Sequence, residues 1–394
     1  MTAKTLLLGE YVKVVGGYAF KSEEFTDEGI PVIRISDVQD GTVSVDKAVR
    51  IPEAVMGKGK SYYVKSGDIL IAMSGATTGK IGVVPNKFDG LILQNQRVGN
   101  FKITCPEKLD KLYLRHFVSS PSYQSQIWKS MVGVAQPNIS SKQLESFEIC
   151  VPPIAEQKRI AEILDRTQSL ISKRKEAIAK LDTLTQSIFI EMFGDPVKNP
   201  KRWERIVLGD VIASASDGPH VSPKYADEGI PFLSTRHIRH GGIDWNDLKF
   251  ISLDEAQIQW KKCRPQRGDI LYTKGGTTGI AATVDFDEPF AIWVHVALLK
   301  TNKNKVQPKW LENMLNSSFC YQQSQRLTHG IANRDLGLKR MVGIEMFLPP
   351  LPLQKEFAQR VEAVEKLKAT HRASLSELQA LFASLQHRAF RGEL

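Results

Sequence analysis

The sequence has 394 residues, 42% hydrophobic and 24% charged, a balance typical of folded soluble proteins rather than disordered chains. No apolar run approaches the roughly 18 residues of a membrane span, and the apolar stretch in the N-terminal MTAKTLLLGEY is too short for a signal peptide, so we expect a cytoplasmic protein. The 53 Lys and Arg residues exceed the 43 Asp and Glu by 10, which favours a polyanionic partner, either nucleic acid or an anionic membrane surface.

A tandem repeat divides the chain. The motif DEGIP occurs at residues 27–31 and 227–231, and GDIL occurs at 67–70 and 268–271. Further along, VPPIAEQ at 151–157 is answered by LPPLPLQ at 348–354. Because the offset stays close to 200 residues, the chain is a duplication of a domain large enough to bury its own core.

Short apolar runs in the first copy predict β-strands, because turns containing Gly, Asn or Pro separate them. The runs are IPVIRI, DILIAM, KIGVV, LILQ and FEICV at residues 30–35, 68–73, 80–84, 91–94 and 147–151. A helical pattern with Leu112, Leu114, Phe117 and Val118 lies before the last run. We predict a mixed α+β domain dominated by sheet.

The Gly-rich stretch SGATTGK at residues 74–80 suggests a phosphate-binding loop but lacks its spacing. A Walker A loop has four residues between its first Gly and its Gly-Lys, followed by Ser or Thr. Here Gly75 and Gly79 enclose one residue fewer, Ile81 replaces the hydroxyl, and the second copy has Ile280 in place of Lys80. We therefore interpret the stretch as a turn and expect no nucleotide cofactor.

Two long helices follow the two sheet-rich domains, each after a Pro-Pro pair. Apolar residues recur in alternating steps of four and three, the 3.5-residue period of a coiled coil, with Thr167, Arg174, Thr185, Lys368 and His371 as polar interruptions. The predicted apolar seam consists of Ile160, Leu164, Ile171, Ile178, Leu181, Ile188, Phe357, Val361, Val364, Leu375, Leu378, Phe382 and Leu385. Two unrelated amphipathic helices, each covering its own domain, are the alternative.

The segment GDPVKNPKRW ends the first helix, and the second domain begins directly after it. If the termini of that domain lie close together, the second helix runs back along the first as an antiparallel coiled coil. Helices of roughly 35 to 40 residues would hold two domains on the order of 50 Å apart, related by a pseudo-two-fold axis. Such a body could read two different DNA half-sites at a fixed separation.

In its order of motifs, the chain resembles the specificity (S) subunits of type I restriction-modification systems. The motifs are GGYAFKSEEF, the GDIL and TTG turns, AQPNIS, VPPIAEQKRIA, MFGDPVKNPKRW, DGPHVSPKYADEGIPFLSTRHI and the C-terminal AFRGEL. The sequence departs from the family pattern in LPPLPLQ, which lacks the Glu of Glu156-Gln157 and is predicted to alter a local cap. Lys368 and His371 are predicted to weaken the helix pair.

The resemblance implies two target recognition domains on double-stranded DNA and a helix pair that sets the spacer length. It divides the chain into target recognition domain 1 at 1–152, spacer helix 1 at 153–194, a linker at 195–206, target recognition domain 2 at 207–349 and spacer helix 2 at 350–394. Modification subunits, two per chain, would bind S-adenosylmethionine and methylate adenine, and restriction subunits would join through them. The chain itself would be non-catalytic, with no cofactor and no membrane partner.

Base edges are read by Arg, Lys, Asn and Gln, and phosphates by basic and small polar groups, so we sought such residues near Gly-rich turns and loops. In the first domain the candidates are Lys21, Arg34, Lys80, Gln94, Asn95, Gln96 and Arg97. In the second they are His220, Lys224, Arg236, His237, Arg239, His240 and Lys274. Solvated surface or turn roles are the alternative for half or more of them.

Sequence motifs for catalysis are missing. Asp68 and Asp269 in the GDIL turns fit turn chemistry, and His237 and His240 lack further metal ligands, so we expect no metal. The four cysteines are scattered without a CxxC pair, which indicates structural thiols.

The first long helix carries three apolar residues beyond its seam, Ile163, Leu170 and Leu184. They are candidates for the modification-subunit interface. Wider contact with the second helix or a flanking domain is the alternative for them. A stand-alone DNA-binding or scaffold protein with a coiled-coil spacer is the alternative function.

Overall fold

The structure is a computed structural model that describes residues 4–86, 88, 90–131, 137–331 and 334–394. The chain divides into two compact units, Met1–Lys175 with Ala373–Leu394, and Glu176–Arg372. Each unit holds one sheet-rich domain and part of each long helix, Ile154–Phe193 and Leu351–Ala389. Residues 135 and 136 of the AQPNIS motif lie outside the described part of the chain.

The first domain is built on two four-stranded sheets. The antiparallel sheet has the strand order Val12–Gly16, Val98–Ile103, Ile69–Ala72, Ile81–Val83. The mixed sheet has the order Val49–Ile51, Ile30–Ile33, Ile92–Gln94, Tyr63–Val64, with its middle pair parallel. Two-stranded pairs join Val38–Gln39 to Thr42–Val43 and Lys4–Leu7 to Glu148–Val151. The five runs predicted from sequence correspond to five of these strands.

The α-helices of the first domain pack in one apolar cluster with its antiparallel sheet. The α-helices are Lys111–Val118, Pro121–Ser130 and Ser141–Glu145, and the 3-10 helices are Leu8–Glu10, Ser22–Glu24, Ile35–Asp37, Glu53–Val55, Gly57–Ser61 and Gly75–Thr77. Asp110 begins the first α-helix, because its Oδ1 accepts the amides of Leu112 and Tyr113 at 2.9 and 3.0 Å. Pro121 sits in the first turn of the second, where a missing N–H costs no hydrogen bond.

The second domain repeats the antiparallel sheet and three strands of the mixed sheet, but its fourth mixed-sheet strand pairs at the opposite edge, with Lys249–Ile251. Its antiparallel sheet has the order Ile212–Asp217, Val296–Thr301, Ile270–Thr273, Ala281–Thr283, and its mixed sheet the order Tyr225–Ala226, Lys249–Ile251, Ile230–Leu233, Ala291–Ile292. Ile238–Arg239 pairs with Gly242–Ile243, and Glu204–Val207 with Glu345–Leu348. The helices are Leu253–Trp260, Pro308–Leu315, Ser318–Leu327 and Leu338–Met341, with 3-10 helices at Leu208–Asp210 and Thr235–His237. The predicted duplication and α+β class are confirmed.

The GDIL strands lie between two apolar cores, which explains their uninterrupted hydrophobic sequence. Ile69 and Ile71 pack in one cluster of the first unit, while Leu70 and Ala72 face the other. Successive side chains of a strand point to opposite faces, so a strand covered on both sides is apolar at every position. In the second unit the run ILYT at 270–273 is likewise buried throughout.

Opposite ends of the two long helices meet within each unit. In the first unit Ile160 and Leu164 share a core with Phe390, whose ring lies 5.3 Å from that of Tyr113. In the second unit the rings of Phe189 and Phe357 lie 5.5 Å apart. The beginning of one helix therefore packs with the end of the other in both units, as antiparallel pairing requires.

Every predicted seam residue is buried or half-buried. Lys368, predicted to weaken the pair, is instead neutralised: its Nζ lies 2.7 Å from Asp182 Oδ1 on the other helix and 2.8 Å from Glu365. Burial alone would lower the pKa of Lys368, but its two carboxylate partners outweigh burial and raise it.

The second domain begins earlier in the chain than predicted. The strand Glu204–Val207 lies almost wholly inside the predicted linker 195–206, and it pairs with Glu345–Leu348 as Lys4–Leu7 pairs with Glu148–Val151. Glu204 and Arg205 are charged and exposed, so this strand lacks the apolar run that would predict it from the sequence.

Candidate nucleic-acid interface

The Gly-rich turn of the first domain is closed by its own hydrogen bonds. The amides of Gly75, Gly79 and Lys80 donate to the carbonyl oxygens of Pro137, Ala72 and Thr77 at 2.9 to 3.0 Å. A phosphate loop needs such amides free to face the anion. Gly79 has a φ of +89°, in the left-handed region that favours glycine, so the turn depends on this residue for its shape.

The aspartates of the GDIL turns stabilise those turns in both domains: Asp68 Oδ2 accepts the amide of Lys65 at 3.1 Å and Asp269 Oδ2 accepts that of Gln266 at 2.7 Å. Asp68 accepts hydrogen bonds from Lys102 Nζ at 2.6 Å and Asn100 Nδ2 at 2.9 Å, and Asp269 accepts one from Lys300 Nζ at 2.6 Å. Burial raises the pKa of Asp68, but these donors outweigh it and leave the pKa lowered. For Asp269 burial prevails and its pKa is raised.

The residues of the polar cluster 94–97 of the first domain differ in their exposure. Gln94 is only 2% exposed, and its Nε2 lies 2.6 Å from the carbonyl oxygens of both Val15 and Val98. It is a buried structural amide rather than a base reader, which corrects the prediction. Asn95 is half-buried, while Gln96 and Arg97 are exposed.

The remaining candidates of the first domain lie on separate turns. Arg34 lies 5.8 Å from the centre of the Phe25 ring, in cation–π contact, and its Nε is 3.9 Å from Asp37 Oδ2. Lys80 Nζ is 3.8 Å from Asp40, and Lys21 is exposed, 3.6 Å from Glu23.

In the second domain, His237 supports a turn. Its Nδ1 accepts the amide of Ser234 at 2.8 Å, as Asp37 Oδ2 accepts the amide of Arg34 at 2.8 Å in the first domain. His237 is 3% exposed, and burial lowers its pKa, which favours the neutral ring that this acceptor role requires. His237 is therefore no longer a candidate for contacting DNA.

Lys274 is likewise buried, at 5% exposure. Its Nζ lies 3.4 Å from Asp217 and 3.3 Å from Asp335, and Lys262 Nζ lies 2.7 Å from the other oxygen of Asp217. The network fixes the loop that follows Asp217. It places Lys274 in a structural role and corrects its assignment as a DNA contact.

The other candidates of the second domain are exposed. Arg236 Nη2 donates to the carbonyl oxygen of Asp247 at 2.5 Å, and Arg239 Nε is 3.9 Å from Asp244. His220 Nε2 lies 3.6 Å from Asp217. Lys224 and His240 are exposed as well.

Sequence reasoning missed an aromatic recess that contains Arg236 and His237. It has a volume of about 270 Å³ and is lined by Tyr225, Phe232, Ser234, Arg236, His237, Lys249 and Trp293. The available signal was the presence of aromatic and basic residues close together in KYADEGIPF and DWNDLKF.

Within the described ranges, no three His, Cys, Asp or Glu side chains are grouped to hold a metal ion. The same part of the chain contains no helix long and apolar enough to span a membrane.

Comparisons with known proteins match this architecture. The family model for the type I restriction modification DNA specificity domain matches twice, at residues 2–181 and 200–380. The EcoBI specificity subunit of Escherichia coli is 26% identical over 97% of this chain and 84% of its own length. The EcoKI specificity subunit of Escherichia coli strain K12 is 23% identical over 97% and 87%.

Solved structures share the fold. The type I restriction-modification S subunit from M. genitalium superposes with a TM-score of 0.61 at 16% identity, covering 99% of both chains. A chain from a study of assembly and conformational transition of the type I R-M system gives 0.59 at 19% identity, covering 100% of this chain and 98% of its own. The double match of the family model over most of the sequence shows that the chain belongs to the type I restriction-modification DNA specificity family, as a specificity subunit rather than a catalytic one.

Proposed function

We propose that the chain reads a bipartite DNA target, one half with each domain, and positions adenine-N6 methyltransferase and restriction subunits on it. The observation that carries the proposal is a shared backbone with different side chains. The amide of Asp37 donates to the carbonyl of Arg34 and that of His237 to Ser234, both at 3.0 Å, yet the residues differ. Two domains that share a backbone and differ in their surface side chains fit two different half-sites.

The helix pair is the proposed spacer. Each long helix contributes one of its ends to each unit, so its length would fix the gap between half-sites. The polar contact between Lys368 and Asp182 supports a defined register in the second unit, because a one-turn slip would bury the lysine without that partner.

Exposed apolar residues on these helices are the proposed docking surface for modification subunits. Leu170 is 51% exposed and Leu184 is 42% exposed, whereas Ile163 is half-buried and contributes less. Leu381 in the first unit and Leu367 in the second are also exposed. Because each unit carries its own pair of such leucines, we propose two modification subunits per chain. A cytoplasmic location stays a prediction.

Co-expression tests the partner part of the proposal. The chain is purified by an affinity tag from cells that also express its candidate modification subunit. We expect a stable complex that methylates adenine in DNA, whereas the chain alone methylates nothing. A chain that binds DNA and fails to retain the modification subunit would instead be a stand-alone DNA-binding or scaffold protein.

A further inference from the structure

The aromatic recess of the second domain combines flat apolar walls with cationic groups. Phe232 is 3% exposed and forms the floor, with ring-centre distances of 6.0 Å to Tyr225 and 5.8 Å to Trp293. Lys249 Nζ lies 4.1 Å from the centre of the Tyr225 ring. Arg236 also lines the recess and is exposed, oriented by its hydrogen bond to the Asp247 carbonyl.

This chemistry matches the needs of a DNA-reading site. Arg and Lys donate to guanine edges and phosphates, and apolar surfaces accept thymine methyl groups. With a volume of about 270 Å³, the recess is just below the roughly 300–1,000 Å³ of small-molecule sites, so it suits a flat group rather than a large ligand.

A larger recess of the same unit, about 390 Å³, suits an anion less well. Its wall contains Asp287 and Glu288, and Arg267 is already held by Asp287 at 2.8 Å. Although Arg264 and Lys303 also line that recess, DNA phosphates would meet two carboxylates there, whereas the lining of the smaller recess contains none.

The first domain offers an internal comparison for the smaller recess. The amide of Trp293 donates to Leu233 at 2.8 Å, as that of Asn95 donates to Ile33 at 2.9 Å. Trp293 therefore occupies the backbone position of Asn95.

A second equivalence comes from strand register. Lys249 is registered with Phe232, and Val49 with Val32. Lys249 thus stands where the first domain has valine. Ser36 precedes Asp37 as Arg236 precedes His237 on the matching 3-10 turns, so Arg236 replaces a serine. The two domains share this backbone arrangement but differ in the side chains at the recess positions, which is the pattern expected of a surface that sets specificity.

We infer that the recess of Tyr225, Phe232, Trp293, Arg236 and Lys249 is a base-contacting site of the second domain, with Arg236 and Lys249 as specificity-determining residues. The inference rests on the proposed reading of a bipartite target. Arg236 and Lys249 donate to base edges of double-stranded DNA, and Trp293 packs against apolar base groups.

The test converts recess residues to their first-domain equivalents, as Arg236→Ser, Lys249→Val and Trp293→Asn. Lys261→Val, at an exposed position outside the recess lining, is the matched control. The wild-type target is first mapped from methylated adenines in cells that express the chain with its modification subunit. The purified complex is then titrated with three duplexes: the intact target, one with the second half scrambled, and one with the first half scrambled.

We expect the recess variants to lose discrimination against the scrambled second half by roughly 5- to 150-fold, the range for one good base contact. Discrimination against the scrambled first half should stay unchanged, as should both ratios in Lys261→Val. A variant that melts below the wild type is replaced by Lys249→Met or Trp293→Phe.

Two results would overturn the inference while leaving the proposed function intact. The variants could retain both discrimination ratios, or they could lose affinity equally for all three duplexes, which would indicate phosphate contacts without base reading. Failure of the wild-type complex to methylate any bipartite motif would instead refute the proposed function itself.

Discussion

Gln157 and Gln354 perform the same task in the two units. Each is fully buried near the start of a long helix, and each donates through Nε2 to the carbonyl of the preceding segment, Pro152 or Pro349, at 2.8 Å. Each Oε1 accepts the amide of a residue that caps a domain helix, Asp110 at 2.8 Å or Gln307 at 2.9 Å.

The two glutamines therefore fasten the long helices to the domains that precede them. The neighbouring Glu156, whose absence from the second copy was predicted to alter a cap, binds Arg159 on the surface at 2.6 Å instead. That prediction was wrong because the capping role belongs to the adjacent glutamine, which both copies keep.

Replacing either glutamine should destabilise its own unit. Gln157→Ala and Gln354→Ala each remove an acceptor and a donor from buried backbone partners, and each unpaired buried group costs about 1–3 kcal/mol. We expect a loss of about 2–4 kcal/mol in the free energy of unfolding, measured by denaturant titration. Hydrogen exchange should locate the loss in the unit that carries the change.

The control for this comparison is Glu156→Ala. Its ion pair with Arg159 is exposed, so the change should alter stability by less than about 1 kcal/mol. Equal effects of Glu156→Ala and Gln157→Ala would contradict the fastening role.

The buried ion pair of Asp217 and Lys274 in the second unit predicts that replacing the aspartate costs more stability than replacing the lysine. Asp217→Ala would leave the buried Lys274 with Asp335 as its remaining carboxylate partner, so the loss should stay below the about 3–5 kcal/mol of an unpaired buried charge. Lys274→Met should cost less, about 1 kcal/mol, because Asp217 keeps Lys262 and the first domain has Met73 at the matching turn. Thermal melting compares the two variants. A larger loss for Lys274→Met would show that Lys262 alone does not compensate the charge of Asp217.

The sequence predicted the strands that are buried on both faces. It did not predict which residues are candidates for contacting DNA. The run DILIAM lies between two cores, and this gives a continuous apolar signal. Val98–Ile103, which carries Asn100 and Lys102, gave none and was missed, although its first four residues are buried. Its polar residues meet Asp68, a partner 32 to 34 positions away that the local sequence does not reveal.

The same limit applies to the candidate DNA contacts. Gln94, His237 and Lys274 look like exposed polar residues in sequence, but tertiary partners hold them in the interior. Trp293 and Tyr225 were not predicted as site residues, because an aromatic in a β-run is usually part of a core. Only the fold shows that they line a recess with Arg236 and Lys249.

A buried histidine gives the first unit a predicted acid sensitivity. His116 is 5% exposed, and its Nε2 lies 2.7 Å from Asp165 on the first long helix, a carboxylate that Arg115 also contacts. Burial lowers the pKa of His116, and the charge of Arg115 adds to this, while Asp165 opposes it. The unfolded chain, with a pKa of about 6.5, therefore takes up a proton before the folded chain does.

Stability should thus be level above about pH 6.5 and fall as the pH drops towards the lower folded pKa of His116. His116→Gln removes the titration and can keep a hydrogen bond to Asp165, so it should flatten this fall. Hydrogen exchange of the helix Lys111–Val118 at pH 7.5 and pH 5.5 is the measurement. His240→Gln, at an exposed site, should behave as the wild type does. An unchanged pH response in His116→Gln would reject the assignment.

Charged substitutions on the long helices test the docking surface. Leu170→Asp and Leu184→Asp place a carboxylate on the proposed contact with a modification subunit, so each should weaken binding at least roughly tenfold if the leucine is an interface anchor. Gln168→Asp and Gln186→Asp add the same charge at exposed polar positions nearby and should have little effect. Calorimetric titration of the chain with the modification subunit gives the affinities. Equal weakening in all four variants would point to general charge repulsion rather than docking at the leucines.

The most direct measurement is methylation mapping with one domain exchanged. Residues 204–348, which include the paired strands Glu204–Val207 and Glu345–Leu348, are replaced by the equivalent segment of a relative that has a different target. Genomic N6-methyladenine is then mapped in cells that also express the modification subunit. Two domains that read independently predict a two-part motif in which only one part changes while the gap stays constant. A motif that changes in both parts, or methylation that does not depend on this chain, would contradict the account.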